Sequence, residues 1–109
     1  MTDTLSATFA ALADPTRRSM LAQLAHGSAT VNELAAPHDM SLPAISRHLK
    51  VLEKAGLIAT SRDAQRRPRR LETIRLKQAD DWMEPYRKFF DTRLDRLEAH
   101  LETMKGRTP

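Results

Sequence analysis

Three helix-start signals crowd the first half of this chain, and they commit it to short helices joined by tight turns. Asp14 stands before Pro15: a carboxylate that can accept from a free backbone N–H, then a proline suited to the first helical position. Thr30-Val-Asn-Glu33 is a capping box, in which the hydroxyl and the carboxylate each satisfy an orphan backbone donor. Ser41 stands two residues before Pro43, which still lies in the first turn, where proline is tolerated. The stops are as explicit. Gly27 ends the second helix, Pro37 the third, and Gly56 fits the left-handed position after the fourth. Between these marks apolar residues recur at helical spacing: Leu5, Phe9 and Leu12, then Met20, Leu21 and Leu24, then Val31, Leu34 and Ala35, then Ile45, Leu49 and Leu52.

After Gly56 the period changes. Leu57 to Arg62 alternates as a strand, Asp63 to Pro68 is a polar turn, and Arg69 to Leu76 reads as the returning strand through Leu71, Thr73/Ile74 and Leu76. From about Ala79 the pattern is helical again, with Asp80 or Asp81 as cap and Pro85 as a restart or a kink. Tyr86, Phe90, Leu94, Leu97, Leu101 and Met104 line one face of this last helix. The final residues from Gly106 are expected to fray. No repeat or linker interrupts the chain. The expectation is one domain over residues 1–109, mainly α with a small β-hairpin: four helices, the hairpin and a long C-terminal helix.

Composition narrows the function. A chain of 109 residues, 40% of them hydrophobic, builds a modest core, and a second apolar stripe is often completed by self-association. On that ground the terminal helices, about 4–13 and 79–105, are the expected dimer interface, with Leu5, Phe9, Tyr86, Phe90, Leu94, Leu97 and Leu101 as its apolar residues. There is no cysteine, so disulfides, thiolate metal sites and thiol nucleophiles are excluded. The start of the chain carries no basic-then-apolar leader, and no apolar run approaches membrane-spanning length. A cytoplasmic protein without membrane contact is expected. Ser, His and Asp occur, but in no nucleophile elbow, paired-carboxylate setting or glycine-rich phosphate loop. No catalytic residue and no cofactor is expected.

The charge is concentrated. Residues 41–77 carry ten lysines and arginines against Glu53, Asp63 and Glu72, whereas both flanks carry a slight excess of acids. A central basic block of this kind is an electrostatic footprint for a polyanion. On a wheel of about 100° per residue, Ile45, Leu49 and Leu52 form one stripe, and Pro43, Arg47, Lys50 and Lys54 lie opposite it. His48 falls near the stripe edge. Taken alone, this helix is equally an ordinary amphipathic helix with a solvated face. Its setting favours nucleic acid: a short capped helix precedes it across a brief turn, which is helix-turn-helix spacing. In that motif the N-terminal half of the second helix enters the major groove. Here that half offers Ser41, Pro43, Ala44 and Ser46, small enough for close approach, with Arg47 for a guanine edge and Lys50 for a base or a phosphate. His48 either packs at the stripe edge or donates to a phosphate.

The hairpin supplies a second element. Arg62, Arg66, Arg67, Arg69 and Arg70 lie close together, with Asp63 the one acid among them. A DNA backbone or minor groove would neutralise them. An acidic protein partner would serve as well, which keeps open an interaction module without DNA specificity.

The stretches ALADPTRRSMLAQL (Ala11–Leu24), TVNELA (Thr30–Ala35) and SLPAISRHLKVLEKAGLI (Ser41–Ile58), with the arginine hairpin, resemble the ArsR family of repressors. WMEPYRKFFDTRLDRLEAHLE (Trp82–Glu102) is similar to the C-terminal helix of one branch of that family. The resemblance implies a winged helix-turn-helix fold and a dimeric, operator-binding repressor. In such a protein helix 41–55 reads the major groove, and the wing at 62–70 touches backbone or minor groove. Many members sense metals through an E-L-C-x-C run. Here Glu33-Leu34-Ala35-Ala36-Pro37 stands in its place. Asp91, Asp95, Glu98, His100 and Glu102 on the last helix include no pair of histidines, so no metal site is expected, and an effector would be of unidentified chemistry. His26 and His38 read as turn residues.

Overall fold

The computed structural model describes residues 3–62 and 65–106. The order is α1 (Thr4–Leu12), α2 (Pro15–Leu24), α3 (Val31–Ala35), α4 (Leu42–Lys54), β1 (Ile58–Thr60), β2 (Arg69–Leu71) and α5 (Ile74–Gly106). Asp63, in the wing turn, and the tail beyond Gly106 lie outside the described residues. The chain forms two compact units, Met1–Ala79 and Asp80–Pro109.

The first unit is held at its joints by the caps. The Arg17 N–H donates to Asp14 Oδ2 at 2.9 Å. The capping box closes both ways: Thr30 N–H donates to Glu33 Oε1 at 3.0 Å, and Glu33 N–H donates to Thr30 Oγ1 at 3.2 Å. Ser41 Oγ accepts from the Ala44 N–H at 3.3 Å. Helix α4 ends with Gly56 at φ 78, and two turn bonds close it, Leu57 N–H to the Leu52 carbonyl and Gly56 N–H to the Glu53 carbonyl, both 3.0 Å. That pair satisfies carbonyls the helix would otherwise leave open.

Between the caps the apolar stripes converge. Met20, Leu21, Leu24, Leu34, Ile45, Leu49, Leu52, Leu57 and Ile58 form one buried cluster with Ala11. Each large member contributes on the order of 1.5–3 kcal/mol by leaving water. Helix α1 differs from its expected stripe. Its buried residues are Thr8 and Ala11, while Phe9 is 37% exposed. The Thr8 hydroxyl is satisfied by donating to the Thr4 carbonyl, 3.0 Å away. Helix α1 is also capped by Asp3, which accepts from the Ser6 N–H at 2.7 Å.

The hairpin is antiparallel, with Ile58 opposite Leu71 and Thr60 opposite Arg69. Ala29 adds a third edge: its N–H donates to the Arg69 carbonyl at 3.0 Å and its carbonyl accepts from the Arg69 N–H at 2.8 Å. The expected second strand is too long. It stops at Leu71, and by Ile74 the chain is helical, with Lys77 N–H already donating to the Thr73 carbonyl at 2.9 Å. Leu76 packs against the core from this helical turn, and Ala79 is buried. The last helix therefore begins before the expected Ala79, and Asp80 and Asp81 are not its caps.

The second unit is the remainder of α5. Pro85 neither stops nor restarts it. Proline supplies no N–H to the preceding turn. Arg87 reaches back over that turn, donating to the Asp80 carbonyl at 3.2 Å and pairing with the Asp80 and Glu84 carboxylates. The Trp82 and Tyr86 rings pack tilted, 5.3 Å between centroids. Among the described residues no helix is long and apolar enough to cross a membrane.

Candidate nucleic-acid interface

Burial of Ile45, Leu49 and Leu52 fixes the rotation of α4, and with it the face that remains outside. Pro43, Arg47, Lys50 and Lys54 are exposed there, and Ala44 and Ser46 are half-buried beside them. Ser41 is exposed, but its hydroxyl is engaged as the cap. Leu42, 52% exposed in the first turn, is a further surface residue that the helical wheel did not single out. Its signal was an apolar residue beside a proline at a capped start, off the buried stripe. Such a side chain suits a thymine methyl.

The hairpin sorts its arginines instead of pooling them. Arg62, Arg67 and Arg69 line one groove of about 590 Å³, together with Thr60, Ser61 and Glu53. Arg66 lies beside Glu33 at the start of α3. Arg70 donates to Glu72 Oε1 at 3.2 Å. Glu33, far away in sequence, thus tempers the cluster together with Glu53 and the neighbouring Glu72. Arg67 sits at φ 45, a left-handed conformation that costs a non-glycine residue about 1 kcal/mol or more, and its carbonyl accepts from Arg69 Nη1 at 2.8 Å.

His48 points away from the outer face. Its ring is 19% exposed, and Nδ1 lies 3.3 Å from Arg17 Nη1 and 3.9 Å from Asp14 Oδ2. The Arg17 backbone N–H holds the Asp14 carboxyl below the usual range, helped by His48 and the Arg17 charge. The Thr30 N–H does the same for Glu33, with Arg66 adding to it.

A helix-turn-helix domain family matches residues 12–61, the segment from the end of α1 through α4 and β1. The chain is 37% identical over 75 residues to the transcriptional repressor SdpR of Bacillus subtilis, a match covering 69% of this chain and 83% of that protein. A solved ArsR family transcriptional regulator, RHA00566, superposes with a TM-score of 0.74 at 37% identity, covering 82% of this chain and 98% of that one. The chain belongs to the ArsR family of winged helix-turn-helix transcriptional regulators. A further relative is the HTH-type transcriptional regulator Rv2034 of Mycobacterium tuberculosis, 47% identical over 62 residues, which are 57% of this chain and 58% of that protein.

Within the ArsR fold, α3 and α4 are the helix-turn-helix pair, β1 and β2 are the wing, and α5 is the long C-terminal helix. At the place of the family's cysteine run, Leu34 is buried in the core and Ala35 packs against it. Among the described residues no group of three or more His, Asp or Glu side chains is clustered as metal ligands.

Proposed function

We propose that this chain is a sequence-specific, operator-binding repressor that works as a homodimer in the cytoplasm. The observation that carries it is the outer face of α4, where Arg47 and Lys50 stand exposed beside Pro43, Ala44 and Ser46 with no acid among them. Arg47 reads a guanine edge, Lys50 serves a base or a phosphate, and Leu42 meets a thymine methyl. Arg62, Arg66 and Arg67 of the wing neutralise backbone phosphates or enter a minor groove. Arg70, paired with Glu72, and Arg69, bonded to the wing backbone, shape that surface.

Self-association rests on α5. Tyr86, Phe90, Leu94, Leu97 and Leu101 are all exposed at helical spacing, and a second copy covers them. Phe9 and Leu5 of α1 take part in self-association as well. Two copies then present two α4 helices to successive major grooves, about 34–36 Å apart. SdpR is a repressor, and the likeness to it supports that sign of regulation here. No residue has a catalytic role in this reading.

A gel shift against DNA upstream of the chain's own gene, at two salt concentrations, tests the reading. A specific shift that survives moderate salt is expected. Binding that is uniform across sequences and vanishes with salt would leave only a polyanion-binding module, of the kind that would also suit an acidic protein.

A further inference from the structure

Arg17 makes three side-chain hydrogen-bond contacts in the first unit, and the DNA-reading face does not account for them. It stands in the first turn of α2, where its own N–H donates to Asp14. Its guanidinium then donates in three directions. Nε reaches the Ala11 carbonyl at 2.7 Å and Nη2 the Ala10 carbonyl at 3.1 Å. Both carbonyls lie at the C-terminal end of α1, where a helix leaves acceptors open and favours a cation. Nη1 lies 3.3 Å from His48 Nδ1, thirty-one residues along the chain on α4. A capping arginine needs only the first two bonds. The third ties the end of α1 to the middle of the helix that reads DNA, next to Arg47.

The chemistry of that third bond is restrictive. A guanidinium only donates, so His48 Nδ1 must be the ring nitrogen without a proton, with the hydrogen on Nε2. The charged groups facing the ring are Arg17 and Asp14, both from α2, and behind the guanidinium stand the two α1 carbonyls. Protonating the ring turns the acceptor into a second cation 3.3 Å from the guanidinium. Asp14, 3.9 Å away, attracts the charged ring, but the guanidinium still loses its acceptor.

We propose that Arg17 is a positioning residue for DNA reading. It sets the seat of α4 against the end of α1 through neutral His48, so that protonating His48 loosens operator binding. This rests on the DNA-reading role of α4 proposed above. The bond is present while the ring is neutral and is lost when Nδ1 takes a proton.

The test uses the full chain and a duplex selected by the wild-type protein from random DNA, with an unrelated duplex as control, at constant ionic strength. Between about pH 5 and pH 8 the wild type should lose operator affinity on acidification more steeply than it loses control affinity. His48→Asn places an amide oxygen near the position of Nδ1 and accepts at every pH. It should keep neutral-pH affinity and flatten the profile. Arg17→Lys keeps the charge without the fork, and should weaken operator binding about tenfold or more at neutral pH, as expected for loss of a charged hydrogen bond. Combined with His48→Asn it should be no worse than alone. If Arg17→Lys fails to fold, ¹⁵N spectra of the wild-type imidazole carry the test: a neutral ring protonated on Nε2 is expected, and a proton on Nδ1 at neutral pH would overturn the proposal. So would an unchanged slope in His48→Asn, or wild-type operator affinity in folded Arg17→Lys. Absence of any sequence preference in the wild type overturns the DNA-reading role and this inference with it.

Discussion

Helices α4 and α5 carry the same kind of apolar stripe and spend it differently. Ile45, Leu49 and Leu52 of α4 are at most 2% exposed, whereas Leu94, Leu97 and Leu101 of α5 are 49–60% exposed. The spacing does not distinguish them, since both run in steps of three and four. Company does. Helix α4 meets Met20, Leu34 and Leu57 in one buried cluster, whereas among the described residues no member of the α5 stripe beyond Ala79 is buried. A periodic stripe announces that a helix will be covered, and leaves open whether by its own chain or by another.

The sharpest way to break that contrast is to truncate each stripe. Leu52→Ala should cost about 2–5 kcal/mol in urea unfolding, because a cavity opens in a closed core. Leu97→Ala should cost dilute protein much less and should instead raise the concentration at which dimers dissociate in sedimentation equilibrium. Equal costs in dilute protein would end the distinction. The outer face of α4 comes next. Arg47→Ala should lose about 1–3 kcal/mol of operator affinity and relax preference at one base position. A loss uniform over all sequences would make Arg47 a phosphate ligand.

The wing separates more finely. Replacing Arg66 and Arg67 by alanine should reduce the slope of log affinity against log salt by about one for each phosphate that is no longer neutralised. Arg70→Ala should change the slope less, since Arg70 is already paired with Glu72. An unchanged slope in the double variant would take the wing tip off the DNA. The smallest effect belongs to the caps. Backbone N–H donors lower the carboxyls of Asp3, Asp14 and Glu33, so their stabilisation is complete above the unfolded range near about pH 4 and is lost as pH falls through the lowered folded values. Acid titration of the thermal midpoint should show less of this loss in Asp14→Asn, where the cap persists without a charge.

Much of the first unit was legible because its signals are local. Asp14-Pro15, the Thr30–Glu33 box, Ser41 and Gly56 act within one helical turn, and all four do as their spacing dictates. The turn from wing to α5 was not legible. Thr73, Ile74 and Leu76 satisfy a strand alternation and a helical first turn alike, and packing of Leu76 against the core decides between them. The buried face of α1 was hidden for a similar reason: Phe9 outweighs Thr8 in any hydrophobic pattern, yet Thr8 can be buried because its hydroxyl bonds within its own helix. For the interface, exposure of Arg47 and Lys50 followed from the stripe opposite them, but the partners of the wing arginines did not.

By itself the sequence determined where most helices start and stop, which residues of α2 to α4 face inward, and that a basic block lies between two acidic flanks, since these depend on neighbours within a few residues. Only the tertiary structure decided that Ala29 edges the wing, that Glu33 and Glu53 stand among its arginines, and that Arg17 joins the end of α1 to His48. Those pairings join residues far apart in the chain, and no local spacing encodes which distant backbone or side chain a folded core brings within reach.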